Sequence, residues 1–239
     1  MESVTVTGGA GVIDLRGEDT PHGFTESLLY SGGAVAALDG PATGGHRLVA
    51  RAPGRRPELG GGLRIALATG QVSRPLRDSL RPLLDLLADG HYELSGPERL
   101  FADEPAPVAW SVPEVGPDRP ELVGDGRYLV PTDTWPPAED DRVAYYRQAI
   151  RSGHRPATVL LGVAGGAGAG FVLDGHHKLA AYLAEGVTPQ VVRIARTETP
   201  VLAAAELRAC LSATALGHPA LASLLTTLDG HPGSRPEVS

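Results

Sequence analysis

Short stretches of alternating polar and apolar residues mark the first seventy positions. Val4-Thr5-Val6, His46 to Arg51 and Leu63 to Leu67 each repeat with period two and are bounded by Gly or Pro. That spacing puts successive side chains on opposite faces of an extended chain, so it predicts short strands between glycine-rich turns. Gly60-Gly61-Gly62 sits just before the last of them. No Lys-Ser or Lys-Thr follows, and a strand comes next, so it reads as a hairpin tip and not a phosphate loop.

At Arg74 the period changes. Leu76, Leu80, Leu83, Leu84 and Leu87 recur at helical spacing up to Asp89-Gly90, a helix stop, with Pro82 expected to kink the helix or split it. Tyr92 to Leu94 and Val108 to Trp110 then read as short strands. Glu114 to Pro120 reads as a linker, which places a domain boundary near residue 122. The expected organisation is a mixed β/α region at 1–122, a second unit at 123–228 and a disordered polar tail at 229–239.

The second unit is more regular. Arg127 to Val130 predicts a strand. A helix follows after Trp135-Pro136-Pro137, with Glu139, Asp140 and Asp141 in its first turn, Arg147 and Arg151 toward its end, and Gly153 as its stop. Thr158 to Val163 predicts a buried strand. The loop from Ala164 to Gly170 is almost all Gly and Ala. It lies between strands, which removes the helix that a dinucleotide fingerprint requires, and suggests a mobile hairpin loop that can close over a ligand. Phe171 to Leu173 is a strand, the chain turns at Asp174-Gly175, and an Ala-rich helix runs to Gly186. Gln190 to Ile194 is a further strand. Val201 to Leu216 and Pro219 to Leu228 read as packing helices. The whole is an α/β (α+β) protein.

Composition narrows the classes. Hydrophobic residues are 42% of the 239, enough for a real core. The net charge is −7 and Lys178 is the sole lysine, which counts against DNA as the main partner because such binding is driven by neutralising phosphates. The single cysteine, Cys210, excludes a disulfide framework or a cysteine zinc site within one chain. The first residues lack a basic and an apolar segment of a signal peptide, and no apolar run approaches the roughly 18 residues of a membrane span. A cytoplasmic protein with no membrane partner is the expectation.

The densest polar chemistry is the turn Asp174-Gly175-His176-His177-Lys178. A helix start presents backbone N–H groups with partial positive charge, which suits a phosphate. His176, His177 and Lys178 add donors. Asp174 can hold Mg²⁺, which takes one or two carboxylates and keeps several waters. The bland reading is a tight turn and helix cap. Neighbouring helical residues point about 100° apart, so one imidazole faces a ligand while the other packs. Arg142, Arg147, Arg151 and Arg155 read as a solvated helix face.

The stretch from Tyr128 to Arg196 resembles the ParB/sulfiredoxin-like family. The likeness rests on Phe171-Val-Leu-Asp-Gly-His-His-Lys, the Ala-rich helix to Gly186, Pro189-Gln-Val-Val, and the upstream Gly153-His-Arg-Pro-Ala-Thr-Val159. It covers under a third of the chain. Sulfiredoxins place a cysteine in the turn, where this chain has histidines. The chromosome-partition branch carries Arg at the Lys178 position and a DNA-binding domain beyond. The free-serine-kinase branch shares the Asp-Gly-His-His turn and an upstream Pro-x-Glu, matched here by Pro137-Ala138-Glu139. That similarity implies an ATP- or ADP-dependent kinase using Mg²⁺ and acting on a hydroxyl of a small molecule, such as a free amino acid. Glu139 and Asp174 are then catalytic, and Gly175, His176, His177 and Lys178 bind the nucleotide phosphate. The alternatives are a non-catalytic nucleotide-binding regulator and a DNA-acting protein.

Overall fold

The computed structural model describes residues 1–20, 23–30, 33–39, 47–51, 72, 74–102, 109–114, 120–123, 127–138, 140–164, 170–200, 204–211 and 216–230. Two sheets organise them. A seven-stranded mixed sheet has the order β1 (Glu2–Val6), β6 (Gly90–Arg99), β12 (Gln190–Arg196), β10 (Ala157–Val163), β11 (Gly170–Asp174), β9 (Arg127–Pro131) and β7 (Trp110–Ser111). A five-stranded antiparallel meander joins β2 (Ile13–Thr20), β3 (Gly23–Tyr30), β4 (Gly33–Asp39), β5 (Arg47–Arg51) and β8 (Glu121–Val123). The helices are α1 (Leu76–Leu84), α2 (Asp140–Arg151), α3 (His176–Glu185), α4 (Ala204–Cys210) and α5 (Pro219–Gly230).

The central strands of the large sheet are buried on both faces, which is why they read as continuous apolar runs. Alternation sorts them between two cores. Val159, Leu161, Phe171, Leu173, Val192 and Ile194 join the core that also holds α1 through Leu76, Leu80 and Leu83, with Leu15 and Val49 from the meander. Leu160, Val172 and Val191 point the other way, to Leu179 of α3. Tyr146 and Ile150 of α2 pack on Ala181 and Tyr182 of α3. The layers therefore run from α1 and the meander, through the large sheet, to α2 and α3.

The expected elements of 127–196 all form, within two residues of their predicted bounds. The boundary near residue 122 does not separate two sheets. β12 pairs antiparallel with β6 and parallel with β10, and β1 pairs with β6, so strands from before that boundary extend the sheet of the second unit. Pro82 lies within α1, which runs unsplit from Leu76 to Leu84. The expected strand at Leu63 to Leu67, the Gly60-Gly61-Gly62 tip, the loop residues 165–169 and the tail beyond Gly230 lie outside the described residues. No helix among the described residues is long and apolar enough to cross a membrane.

Distant polar groups tie these layers together. Glu2 on β1 caps α1, its Oε1 accepting from Leu76 N–H at 2.8 Å. Arg196, buried at the end of β12, donates from Nη1 to Asp14 Oδ1 at 2.6 Å and to Leu15 O at 2.7 Å, and from Nη2 to Asp89 O at 2.8 Å. Its guanidinium lies 5.7 Å from the centre of the Tyr92 ring. Asp14 also accepts from Arg16, which reaches Glu206 of α4.

Candidate functional site

β11 delivers the chain to Asp174, and Gly175 turns it into α3 with φ 107° and ψ 23°. A side chain is disfavoured at that φ. It is also excluded by packing, since a Cβ on Gly175 would stand 2.8 Å from Oγ1 of the buried Thr158. The Asp-Gly turn is therefore fixed by the close approach of β10 as well as by backbone conformation. Gly175 brings no side-chain cap to α3, and Leu179 N–H makes the bond back to Gly175 O at 2.8 Å.

Lys178 does not point outward. It is 2% exposed, and its Nζ donates to Asp174 Oδ2 at 2.6 Å and to Ala157 O at 2.8 Å. The Tyr146 ring centre lies 5.9 Å away. Burial pushes the ammonium pKa down, and the Asp174 carboxylate opposes that shift. The i, i+4 spacing of Asp174 and Lys178 places the pair across the helix start. The sole lysine thus locks the turn to β10 and holds the Asp174 charge in place.

His176 is 4% exposed, and its Nε2 accepts from the backbone N–H groups of Thr132 and Asp133, each at 3.2 Å. An acceptor Nε2 requires a neutral ring with its proton on Nδ1. The Thr132 hydroxyl donates to Val172 O, fastening the same loop to β11. His176 therefore latches the loop between β9 and α2 onto the turn, while His177 is half-buried. Of the two imidazoles the sequence leaves open, His176 is the more deeply buried.

α2 and α3 lie side by side with their starts at the same end. Tyr146 meets Lys178 near one end, and Arg147 and Arg151 both bind Glu185 at the other, at 2.7 and 2.8 Å. Those two arginines hold the Glu185 carboxyl below its usual range. Arg155 donates to Ile150 O and His154 O. The four arginines expected on a solvated face are thus divided. Three tie off the ends of the helix pair. Arg142 hydrogen-bonds Tyr146, and its charge acts on Lys178 at the turn. Burial first, then the Asp174 charge, raises the Tyr146 pKa.

The structure therefore brings Asp174, Gly175, His176, His177 and Lys178 together with Thr132, Tyr146 and Arg142. Glu139 lies outside the described residues. Nothing in the sequence pattern singled out Thr132 or Tyr146. Among the described residues no group of three or more His, Cys, Asp or Glu is placed to hold a metal ion. Asp174 is 9% exposed with Oδ2 already facing an ammonium, a poor fit to a Mg²⁺ cage.

No family model, curated protein or solved structure matches this chain.

Proposed function

We propose that the chain binds a nucleotide by its phosphates at the start of α3 and transfers a phosphoryl group to a hydroxyl of a small metabolite, such as a free amino acid. The observation that carries this reading is the start of α3, without a side-chain cap, beside the start of α2 and the Arg142 guanidinium. Aligned helix starts and a guanidinium are the groups that neutralise transferring phosphates. In this reading Gly175, His177 and Arg142 line the phosphate seat. Asp174 is held in place by Lys178 at the turn, and Glu139 orients the acceptor hydroxyl. Mg²⁺ would supply neutralisation of phosphate charge if it came with the nucleotide, with Asp174 the one carboxylate of the turn that could face it.

A second reading, nucleotide binding without turnover, is favoured by one observation. Lys178 and His176 are spent on internal contacts that fasten the turn. Both readings make the chain a ligand-binding protein in which DNA has no part.

Calorimetry with ATP, ADP and CTP, with Mg²⁺ present, tests the seat. Binding in the micromolar range, lost in the double variant Arg142→Ala/His177→Ala with the fold retained, is the expected result. Phosphorus NMR with a panel of hydroxyl acceptors then separates the two readings, since product formation that needs Glu139 marks the kinase. Absence of binding by every nucleotide overturns both.

A further inference from the structure

The polar side chains packed around the α3 turn are committed to one another, with one exception. Asp174 and Lys178 are paired, and the Lys178 ammonium also binds Ala157 O. The His176 imidazole takes two backbone N–H groups, and the Thr132 hydroxyl donates to Val172 O. Thr158 differs. It is 0% exposed, and its Oγ1 has no hydrogen-bond partner among the described residues. A buried hydroxyl without a partner has lost its water and gained nothing in return, and native folds keep few of them.

The strand sets where this hydroxyl sits. Ala157, Val159 and Leu161 of β10 join the core shared with α1. Alternation turns Thr158 to the other face of the sheet, where Leu160 meets Leu179 of α3. There Oγ1 stands 2.8 Å from the point a Cβ of Gly175 would take, with Cγ2 and Cβ of Thr158 at 3.0 and 3.1 Å. Gly175 is the cap residue of α3 and makes no side-chain cap bond. The unpartnered hydroxyl therefore borders the end of α3 at which a helix presents N–H groups not bonded within it. Packing does not account for it. A valine is branched in the same way and suits a buried strand equally well, without a polar atom to desolvate.

From this we infer that Thr158 is a binding residue of the seat at α3, its hydroxyl donating to a phosphate oxygen of the bound nucleotide. The inference rests on the nucleotide reading above and adds β10 to the elements that supply the seat. A hydroxyl gives a phosphate oxygen a short, charge-assisted bond. In the free protein Oγ1 is closed off. Gly175 beside it is partly exposed and has no side chain, and glycine has the most permissive backbone of any residue, so a small shift of the turn opens the hydroxyl to the seat. The donor is unpaired when the seat is empty and paired when it is filled. Its bond energy therefore favours the bound state alone.

Thr158→Val and Thr158→Ser test this, with the melting temperature of the free chain set beside calorimetry of ATP, ADP and CTP in the presence of Mg²⁺. Thr158→Val is expected to melt at the wild-type temperature or above, since it removes an unpaired buried hydroxyl. It is expected to bind nucleotide about tenfold more weakly, the worth of one charge-assisted hydrogen bond. Thr158→Ser keeps the donor and is expected to keep wild-type binding. A Thr158→Val chain that melts clearly below wild type would show a hydroxyl bonded within the fold, and overturns the assignment whatever the ligand. Nucleotide binding unchanged in Thr158→Val overturns the assignment and leaves the nucleotide reading standing. A wild-type chain that binds none of the three nucleotides overturns both.

Discussion

Lys178 shows how one residue type can carry two opposite readings. From the sequence it is the only lysine of the chain, one turn after Asp174, and resembles a phosphate-binding cation. In the fold it is a buried strut with an ammonium shared between Asp174 and Ala157 O. The sequence pattern placed it in the same turn as Asp174. It did not reveal that β10 runs beneath that turn, because the contact joins residues 21 apart. Removing one member of a buried pair leaves the other charge uncompensated, which costs about 3–5 kcal/mol. Lys178→Met is expected to lose about 3 kcal/mol in urea unfolding, and Asp174→Leu with Lys178→Met to recover most of it. A Lys178→Met stability within about 0.5 kcal/mol of wild type would show that the ammonium is not a strut.

At the level of elements, helix α1 is stabilised from outside its own sequence. Its start carries Pro75 and no side-chain cap of its own; the cap is Glu2, on a strand 74 residues away. The leucine spacing made the helix and its apolar face legible. The cap was not, because a capping box is searched for within one turn and this carboxylate arrives from a neighbouring strand. The backbone N–H bond from Leu76, aided by Arg74 and opposed by burial, holds the Glu2 pKa below its ordinary value. A carboxyl whose folded pKa lies below its unfolded one contributes stability that is full above the unfolded pKa and is lost as pH falls through the folded pKa. Wild type is therefore expected to exceed Glu2→Gln by about 1 kcal/mol near neutral pH, and the two to converge as pH drops below about 4. A gap that stays constant from pH 7 to pH 3 would exclude the carboxylate cap. The α2 and α3 helices were legible in full, since their proline, acid, arginine and glycine punctuation agrees with their apolar faces. Their parallel arrangement was not, because it depends on Glu185 meeting Arg147 and Arg151.

Across the whole molecule, the α/β class and every element of 127–196 followed from local pattern. The assembly of those elements into one sheet with β1 and β6 did not. Pairing partners of a strand leave no local trace when they lie far apart in the chain, and a proline-rich stretch such as Glu114 to Pro120 looks like a boundary whether or not a sheet crosses it. Arg196 is the clearest case. It reads as the last residue of an alternating strand, yet it holds Asp14, Leu15 and Asp89 together between the two sheets. Arg196→Met is expected to destabilise by about 3 kcal/mol, with amide exchange in β2 accelerated more than in β10. Equal acceleration in both strands would argue against a local clasp.

The order of strands in the large sheet also has a temporal side. β1 and β6 leave the ribosome well before β12, the strand that separates them from β10. Until β12 arrives, one edge of β6 has backbone groups with no ladder to join, and closing the sheet waits on contacts between distant parts of the chain. Synthesis therefore passes through a stage in which the nascent protein carries an open template for foreign strands. That interval, more than the finished architecture, is where a folding helper would find its purchase.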